Sequence, residues 1–205
     1  AVCGPGRATV RTSGGFTVTP DHDLARLAEA DLVGVPAFDG HLRASPPVVE
    51  ALRAAHDRGA QLLSVCSGAF VLGDAGLLDG RRCTTHWRHT QELAERFPLA
   101  VVVPEVLYVD DDRVVTSAGT AAGLDASLHV WRQEHGSAVA SAVARRMVVP
   151  PQREGGQAQF VARPVVDCDA ETLAPLLTWA LGHLEEDLGV EALSRQALLS
   201  PRTFA

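Results

Sequence analysis

A cysteine stands at the junction between a predicted strand and a predicted helix. The apolar run QLLSV, residues 61–65, predicts a strand covered on both faces of a sheet, and it ends at Cys66. Ser67 and Gly68 follow and open an apolar segment that fits a helix. A tight strand-to-helix turn holds its residue above the C-terminal edge of the sheet, where the N–H groups of the helix favour a thiolate. Cys66 is therefore a candidate nucleophile or sensor thiol; the alternative is a small buried side chain, a common environment for free cysteine.

His86, in the stretch TTHW, is the candidate base for this thiol. A cysteine nucleophile needs a base within hydrogen-bond reach, about 2.6–3.2 Å. The alternative interpretation is a histidine at a strand end that is hydrogen-bonded to backbone. His86 and His89 have a spacing that two metal ligands can use, but no carboxylate or third ligand completes a site. We expect neither a metal ion nor a cofactor.

A second strand-to-helix turn supplies further candidate ligand-binding residues. Ser117, Gly119 and Thr120 follow a predicted strand and precede a helix, near the sheet edge expected to carry Cys66. Such turns present free backbone N–H groups to a ligand. The alternative role is a helix cap, which is compatible with ligand binding. Asp125, inside the following helix, is interpreted as structural.

The elements that position these residues alternate along the first part of the chain. Residues 1–149 contain strand-like runs, such as DLVGVPAF and AQLLSV, separated by segments of helical periodicity such as SPPVVEALRAAHDRG. This alternation predicts an α/β fold with a mostly parallel sheet. Residues 150–170 are rich in proline, glycine and glutamine without a clear period and are predicted to be a linker. Helical patterns resume in residues 171–205.

Bulk composition excludes several classes of protein. The chain has 205 residues, 46% of them hydrophobic, which suffices for one sizeable core and a small second unit. No apolar run approaches the roughly 18–20 residues of a membrane helix. The four cysteines lack a C-x-x-C pair, so we expect free thiols in a reducing cytoplasm. The formal net charge of -7 argues against a surface that coats nucleic acid but permits a small DNA-reading module.

Three long motifs carry a resemblance to a known family: SVCSGAFVLGDAGLLDGRRCTTHW, VVTSAGTAAGLDASLHV and RRMVVPPQREGGQAQF. They resemble AraC-family transcriptional regulators with an N-terminal ThiJ/PfpI-like domain, which has the class I glutamine amidotransferase-like fold. The resemblance implies a flavodoxin-like α/β sandwich in residues 1–149, beginning after the first strand-helix unit of that fold. It also implies the N-terminal part of an all-α, AraC-type helix-turn-helix domain in residues 171–205.

The resemblance implies roles for several residues. Enzymes of the wider superfamily use the cysteine that Cys66 matches. Proteolytic members have a histidine where this chain has Ser67, which argues against a protease. Ala37, in VPAFDG, stands where a glycine is common in the turn that helps form an oxyanion hole, which argues against a hydrolase. The predicted ligand-binding residues are Cys66, Ser67, Gly68, Ala37, Ser117, Gly119 and Thr120.

The C-terminal residues resemble the first helices of a DNA-binding module. After an amphipathic helix that ends at Gly189, VEALSRQALLS predicts a short helix. SPRTFA starts another, with Ser200 as N-cap and Pro201 at its first position. In a helix-turn-helix the second helix enters the major groove, so Ser200, Arg202 and Thr203 are the predicted DNA contacts. The alternative is a helical hairpin that does not bind DNA.

Together these features predict a cytoplasmic, homodimeric transcription regulator, not an enzyme and not bound to a membrane. It would bind DNA through a full C-terminal domain, of which residues 171–205 are only the first part, so we do not expect these 205 residues alone to bind DNA specifically. Its α/β domain would sense a small-molecule effector near Cys66. Two alternatives stay open. The first is an enzyme of the ThiJ/PfpI superfamily, a hydrolase or an isonitrile-hydratase-like enzyme, with Cys66 as nucleophile. The second is a redox sensor in which Cys66 is oxidised to sulfenic acid.

Overall fold

The computed structural model describes residues 1–39, 41–153, 156–157 and 174–204. The chain divides into two compact units, residues 1–161 and residues 162–205. The strands are β1 (Val10–Arg11), β2 (Thr17–Val18), β3 (Leu32–Val35), β4 (Gln61–Val65), β5 (Arg82–Cys83), β6 (Val101–Val102), β7 (Tyr108–Asp111) and β8 (Val114–Ser117). The helices are α1 (Pro46–Arg58), α2 (Gly68–Asp74), α3 (Thr90–Arg96), α4 (Thr120–Met147), α5 (Ala174–Gly182), α6 (Val190–Gln196) and α7 (Pro201–Phe204).

The main sheet of the first unit has the strand order β3-β4-β8-β7. β3 and β8 both run parallel to β4, and β7 pairs antiparallel with β8. β1 and β2 form a separate antiparallel pair, and β5 and β6 form a short parallel pair. The predicted α/β class with a mostly parallel sheet is confirmed.

Helices cover the main sheet on both faces, which explains why its central strands are apolar at successive positions. Leu62 and Val114 point into the larger core, where they pack with residues of α1, α2 and α3. Their neighbours Leu63 and Val115 point the opposite way and pack against α4. A strand alternates its side chains between the two faces of the sheet, so successive residues such as Leu62 and Leu63 must both be apolar.

Local sequence signals set the ends of the helices. Ser45 and Pro46 open α1, and Gly59 closes it in the left-handed conformation at φ 108°. The long helix α4 is interrupted at Gly136, where φ is 82° and the backbone is not helical. Two helical segments therefore meet at this glycine, each with its own direction.

The acidic turn between β7 and β8 holds the neighbouring strand in place. Asp112 and Arg113 both have positive φ, as in the two-residue turns that join antiparallel strands. The Asp112 carboxylate accepts a hydrogen bond from the Arg81 guanidinium at 2.8 Å, and Asp111 accepts one from the Arg82 backbone N–H at 2.8 Å. These carboxylates therefore fix the start of β5.

Asp74 ties the end of α2 to two other parts of the first unit. Its carboxylate accepts hydrogen bonds from the Ala44 N–H at 2.8 Å, from Arg43 at 2.6 Å and from Arg96 at 3.0 Å. Burial raises the pKa of Asp74, but the hydrogen bonds from Ala44, Arg43 and Arg96 outweigh it, and the pKa lies below its ordinary value of 3.8. The carboxylate is thus ionised at neutral pH and fixes α2, the helix that follows Cys66.

The described residues of the second unit form helices and turns. The predicted helix that would end at Gly189 ends instead at Gly182. His183 follows, stacks on the Trp179 ring with the centroids 4.5 Å apart, and binds the Trp179 carbonyl through Nδ1 at 2.7 Å. That carbonyl no longer needs a helical N–H partner, so the helix can stop there. In the described part of the whole chain, no helix is both long and apolar enough to cross a membrane.

Candidate functional site at the end of strand β4

Cys66 occupies the sharp turn that the sequence predicts. Its φ is 55°, in the left-handed region that a residue with a side chain rarely adopts. Two neighbours hold this conformation: the Cys66 N–H donates to the Ser117 carbonyl at 3.0 Å, and the Thr85 hydroxyl donates to the Cys66 carbonyl at 2.8 Å. Cys66 is half-buried. Backbone strain of this kind, about 1–3 kcal/mol, persists only where surrounding contacts impose it.

Ser67 fixes the loop that follows β3. The Ser67 hydroxyl accepts a hydrogen bond from the Phe38 N–H at 3.1 Å and donates to the Phe38 carbonyl. Ser67 is buried, so its hydroxyl is committed to this loop. Ala37, one residue before Phe38, is exposed. The hydrogen bonds of Ser67 therefore set the position of Ala37.

Gly68 allows α2 to start directly against the end of β3. A Cβ atom at this position would lie 2.6 Å from both the Val35 and the Pro36 carbonyl oxygens. Any side chain would collide with backbone, so only glycine fits without displacement. The close approach holds the turn at Cys66 against β3.

His86 binds backbone at the start of a short 3₁₀ turn and makes no hydrogen bond to Cys66. Its Nδ1 accepts from the Arg88 N–H at 3.2 Å, so in the neutral ring the proton sits on Nε2. Burial lowers the pKa of His86 below its ordinary 6.5, and the neighbouring His89 and Arg88 lower it further by charge repulsion. The ring is thus a neutral Nε2–H donor at pH 7, as expected for a histidine bound to backbone at a strand end.

A cavity of about 300 Å³ opens beside His86. It lies where the chain leaves β8 and enters α4. Among the described residues, its lining consists of His86, Trp87, Leu107, Ala118, Gly119, Ala121, Ala122, Arg153 and Gln157. The predicted residues His86 and Gly119 therefore share one cavity, while Cys66 anchors the turn next to it through Ser117.

The other residues predicted at this second turn have different surroundings. Ser117 is fully buried, and its hydroxyl donates to the Ser64 carbonyl at 2.9 Å, so its side chain joins β8 to β4. Gly119 is the N-cap residue of α4 and has no side chain to cap the helix. Thr120 is the first residue of α4, and its side chain lies outside the described part of the structure.

Two lining residues come from the segment that the sequence predicts to be a linker. Arg153 binds the Asp125 carboxylate of α4 through Nε, at 2.9 Å and 3.0 Å to its two oxygens. Gln157 donates from its backbone N–H to the Glu105 carbonyl at 2.8 Å and from its side chain to the Thr85 carbonyl at 3.0 Å. The start of the predicted linker is therefore bound to the α/β unit. Sequence reasoning missed both residues, although it did interpret Asp125 as structural.

The predicted DNA-binding residues lie in the second unit. Ser200 caps α7: its hydroxyl accepts from the Thr203 N–H at 3.2 Å and is 2.7 Å from the Thr203 hydroxyl. The predicted N-cap is confirmed. Arg202 is exposed on the first turn of α7.

Comparison with known proteins identifies the first unit. The sequence profile of the DJ-1/PfpI family matches residues 1–133. The chain belongs to the DJ-1/PfpI family. This confirms the ThiJ/PfpI resemblance and the flavodoxin-like α/β fold that it implies. In the described residues of this family member, no group of three or more His, Cys, Asp or Glu side chains is arranged to hold a metal ion.

The relatives of this DJ-1/PfpI family member include regulators and an enzyme. The HTH-type transcriptional regulator CdhR of Pseudomonas aeruginosa is 35% identical over 158 residues, covering 75% of this chain and 47% of CdhR. Isonitrile hydratase of Pseudomonas putida is 28% identical over 172 residues, covering 82% of this chain and 74% of the enzyme. The crystal structure of an AraC family transcriptional regulator from Pseudomonas putida matches with a TM-score of 0.58 and 25% identity, covering 68% of this chain and 75% of that one.

The 205-residue chain spans about half the length of the curated regulators that it matches. Matches to such regulators extend over as much as 94% of this chain, and 195 aligned residues cannot all lie within the first unit.

Proposed function

We propose that the chain belongs to an AraC-type transcription regulator whose α/β unit senses a small-molecule effector near Cys66. The observation that carries this proposal is the similarity to HTH-type regulators across both units of the chain. In this proposal residues 1–149 form the sensing domain, residues 150–170 connect the domains, and residues 171–205 begin the DNA-binding domain. The protein acts in the cytoplasm as a homodimer.

The sensing part of the proposal is supported by the cavity beside His86. Open α/β sheets bind ligands beyond the C-terminal ends of their strands. The cavity lies at such an end, where β8 passes into α4, and its volume of about 300 Å³ suits a small molecule. Arg153 and Gln157 line it and stand in the segment that leads to the second unit. A ligand there would touch the residues that connect sensing to DNA binding.

The DNA-binding part is supported by the helices α6 and α7. In a helix-turn-helix a short helix braces a second helix that enters the major groove, and α6 followed by the capped turn α7 matches the start of such a module. Arginine makes the most frequent specific contact to guanine, worth about 1–3 kcal/mol. Arg202 is therefore the residue that we expect to read a base.

The test selects duplexes from a random DNA pool with the complete gene product and then measures binding of the selected duplex. We expect one sequence motif to emerge, and we expect Arg202→Ala to weaken binding about tenfold or more. The matched control is Arg146→Ala, an exposed arginine of α4 in the first unit, which should bind as the unaltered protein does. A pool that stays random after selection would overturn the regulator proposal.

A second candidate function is favoured by the turn at Cys66. A half-exposed thiol held at positive φ is the geometry of a nucleophile, and an isonitrile hydratase is among the relatives. Against it, the Cys66 thiol makes no hydrogen bond to His86 or to another side chain in the described residues. Release of nitrophenolate from p-nitrophenyl acetate should be lost in Cys66→Ala and kept in Cys83→Ala if this alternative holds. Equal release by both variants would remove it.

A further inference from the structure

Gly156 brings the chain that follows α4 into direct backbone contact with the α/β unit. A Cβ atom at this position would collide with the Glu105 carbonyl oxygen and would stand 3.0 Å from the carbon of that group. The obstacle is backbone and cannot rotate away, so only glycine fits without displacement. The next residue lies against the same group, because the Gln157 N–H donates to the Glu105 carbonyl at 2.8 Å. The contact is therefore specific to these two residues, whereas a linker that only spans a distance needs no particular residue at any position.

The Gln157 side chain is buried in the same contact. The residue is 3% exposed, and its Nε2 donates to the Thr85 carbonyl at 3.0 Å and lies 3.4 Å from the Thr84 hydroxyl. Connecting segments usually run over the surface with their side chains in water, and fixing a glutamine costs much of its rotamer freedom. A buried and oriented glutamine therefore marks a docking contact. We call Gly156 and Gln157 together the latch.

Thr85 connects the latch to the turn at Cys66. Its hydroxyl donates to the Cys66 carbonyl at 2.8 Å, and its own carbonyl accepts the hydrogen bond from Gln157. Thr85 is fully buried, so neither group has water as an alternative partner. A displacement of the Cys66 carbonyl must therefore either carry Thr85 with it, together with the group that holds Gln157, or break a buried hydrogen bond.

One polar atom of the latch gains from release. Gln157 Oε1 is buried and has no hydrogen-bond partner among the described residues. An unpaired buried acceptor costs free energy, and contact with water would remove this cost, so it cancels part of the stabilisation from the two hydrogen bonds of Gln157. The docked and released forms of the latch are therefore close in free energy, and a small change at Thr85 can shift the balance between them.

We propose that the latch is a releasable contact and that Thr85 couples its release to the Cys66 turn. A change at that turn displaces Thr85, withdraws the acceptor of the Gln157 side chain and frees the latch. Release adds Gly156 and Gln157 to the connection that leads to the second unit, which begins at residue 162. This inference rests on the proposed sensing role and names the step by which the site near Cys66 acts on the chain beyond it. Coupling of this kind is reciprocal, so the state of the latch must also affect the Cys66 turn.

The test follows hydrogen exchange of the Gln157 backbone N–H by NMR in the ¹⁵N-labelled 205-residue chain. This N–H is protected while it donates to the Glu105 carbonyl, so its exchange rate measures how often the latch opens. In Gly156→Ala the collision with Glu105 should open the latch, and we expect exchange at least about tenfold faster than in the unaltered chain. Gly34→Ala, whose Cβ would meet nothing within 4 Å, is the matched control and should leave the rate unchanged.

Thr85→Val tests the coupling. It removes the hydroxyl that holds the Cys66 carbonyl and keeps the backbone carbonyl that holds Gln157. We expect exchange of the Gln157 N–H to become about two- to tenfold faster, the effect of one lost hydrogen bond. Ser127→Ala also removes a hydroxyl that donates to a backbone carbonyl, that of Gly123 in α4, and as the matched control it should leave the Gln157 rate unchanged.

Two further signals complete the test. The Leu62 N–H donates to the Arg113 carbonyl at 2.8 Å within the main sheet, so its exchange reports global unfolding and should keep its rate in Thr85→Val. In the opposite direction, opening the latch with Gly156→Ala should move the ¹⁵N signal of Cys66, because the coupling is reciprocal.

Three results would overturn the inference: unchanged Gln157 exchange in Thr85→Val, an equal acceleration of Leu62 exchange in that variant, or an unmoved Cys66 signal in Gly156→Ala. These outcomes are separate from those of the DNA selection. A chain in which Thr85→Val opens the latch but whose gene product selects no DNA motif refutes the regulator proposal alone. A gene product that selects a motif while Thr85→Val leaves the latch closed refutes only the coupling.

Discussion

Replacing Gly68 with alanine tests whether the close approach of α2 to β3 holds the Cys66 turn. The added Cβ would stand 2.6 Å from the carbonyl oxygens of Val35 and Pro36. Both distances are almost 1 Å shorter than the roughly 3.5 Å at which non-bonded atoms pack. The two oxygens belong to backbone and cannot rotate away, so α2 or the end of β3 must shift.

Overpacking of this kind costs typically about 1–3 kcal/mol. Alanine favours a helix interior by about 1 kcal/mol over glycine, but Gly68 is the first residue of α2, where that gain is smaller. Each kcal/mol lowers the Tm of a protein of this size by about 2–4 °C, so we expect Gly68→Ala to melt about 2–12 °C below the unaltered chain.

The assay is thermal unfolding followed by circular dichroism, with Gly34→Ala as the control. Gly34 lies in β3, and a Cβ there would meet nothing within 4 Å, so its Tm should change by no more than about 2 °C. The ¹⁵N signal of Cys66 should move in Gly68→Ala and stay in Gly34→Ala. If the two variants melt together and leave the Cys66 signal in place, the argument that Gly68 fixes this turn is wrong.

Three further predictions concern two of the four cysteine thiols, those of Cys66 and Cys83, and the Asp74 carboxylate. Iodoacetamide should modify Cys66 before Cys83. Burial, with a smaller contribution from Asp111, raises the pKa of the Cys83 thiol to about 11, so little of it is thiolate at neutral pH. Peptide mass mapping measures the order, and faster labelling of Cys83 would contradict the burial of that thiol. Cys66→Gly should be about 0.5–1 kcal/mol more stable to urea than Cys66→Ala, since glycine adopts φ 55° without steric cost, and equal stabilities would show that the turn is unstrained. The pKa of Asp74 lies below 3.8 in the folded protein, so the ionised carboxylate stabilises the fold fully above pH 3.8, and this stabilisation is lost as the pH falls through the folded pKa. Asp74→Asn should therefore lose less stability than the unaltered chain between pH 5 and pH 2 in acid-unfolding curves. An identical loss in both would refute a lowered pKa of Asp74.

The sequence predicts the Cys66 turn well because its signals are local. An apolar run without alternation, a cysteine and a glycine within one short stretch specify a buried strand, a sharp turn and a helix start. The helix boundaries at Pro46, Gly59 and Ser200 follow for the same reason, since caps depend on one or two neighbouring residues.

The cavity is harder to predict because its walls come from distant parts of the chain. Arg153 reaches back 28 positions to Asp125, and Gln157 reaches back 72 positions to Thr85. The segment that carries Arg153 and Gln157 has no periodicity, so nothing local distinguishes it from a linker. The position of His86 relative to Cys66 is also a long-range property, and the spacing of the two residues in the sequence does not encode it.

The anchoring of Gln157 also has a consequence for how far a signal must travel. Gln157 precedes residue 162, where the second unit begins, by five residues. A shift of its amide on effector binding would reach the second unit over five residues and the proposed DNA-binding domain at residue 171 over fourteen, with no need for a rearrangement of the sheet. In the proposed regulator the response to the effector then depends on the number of residues between Gln157 and the second unit. Glycines inserted between Gln157 and residue 162 would uncouple effector binding from transcription while leaving each unit intact.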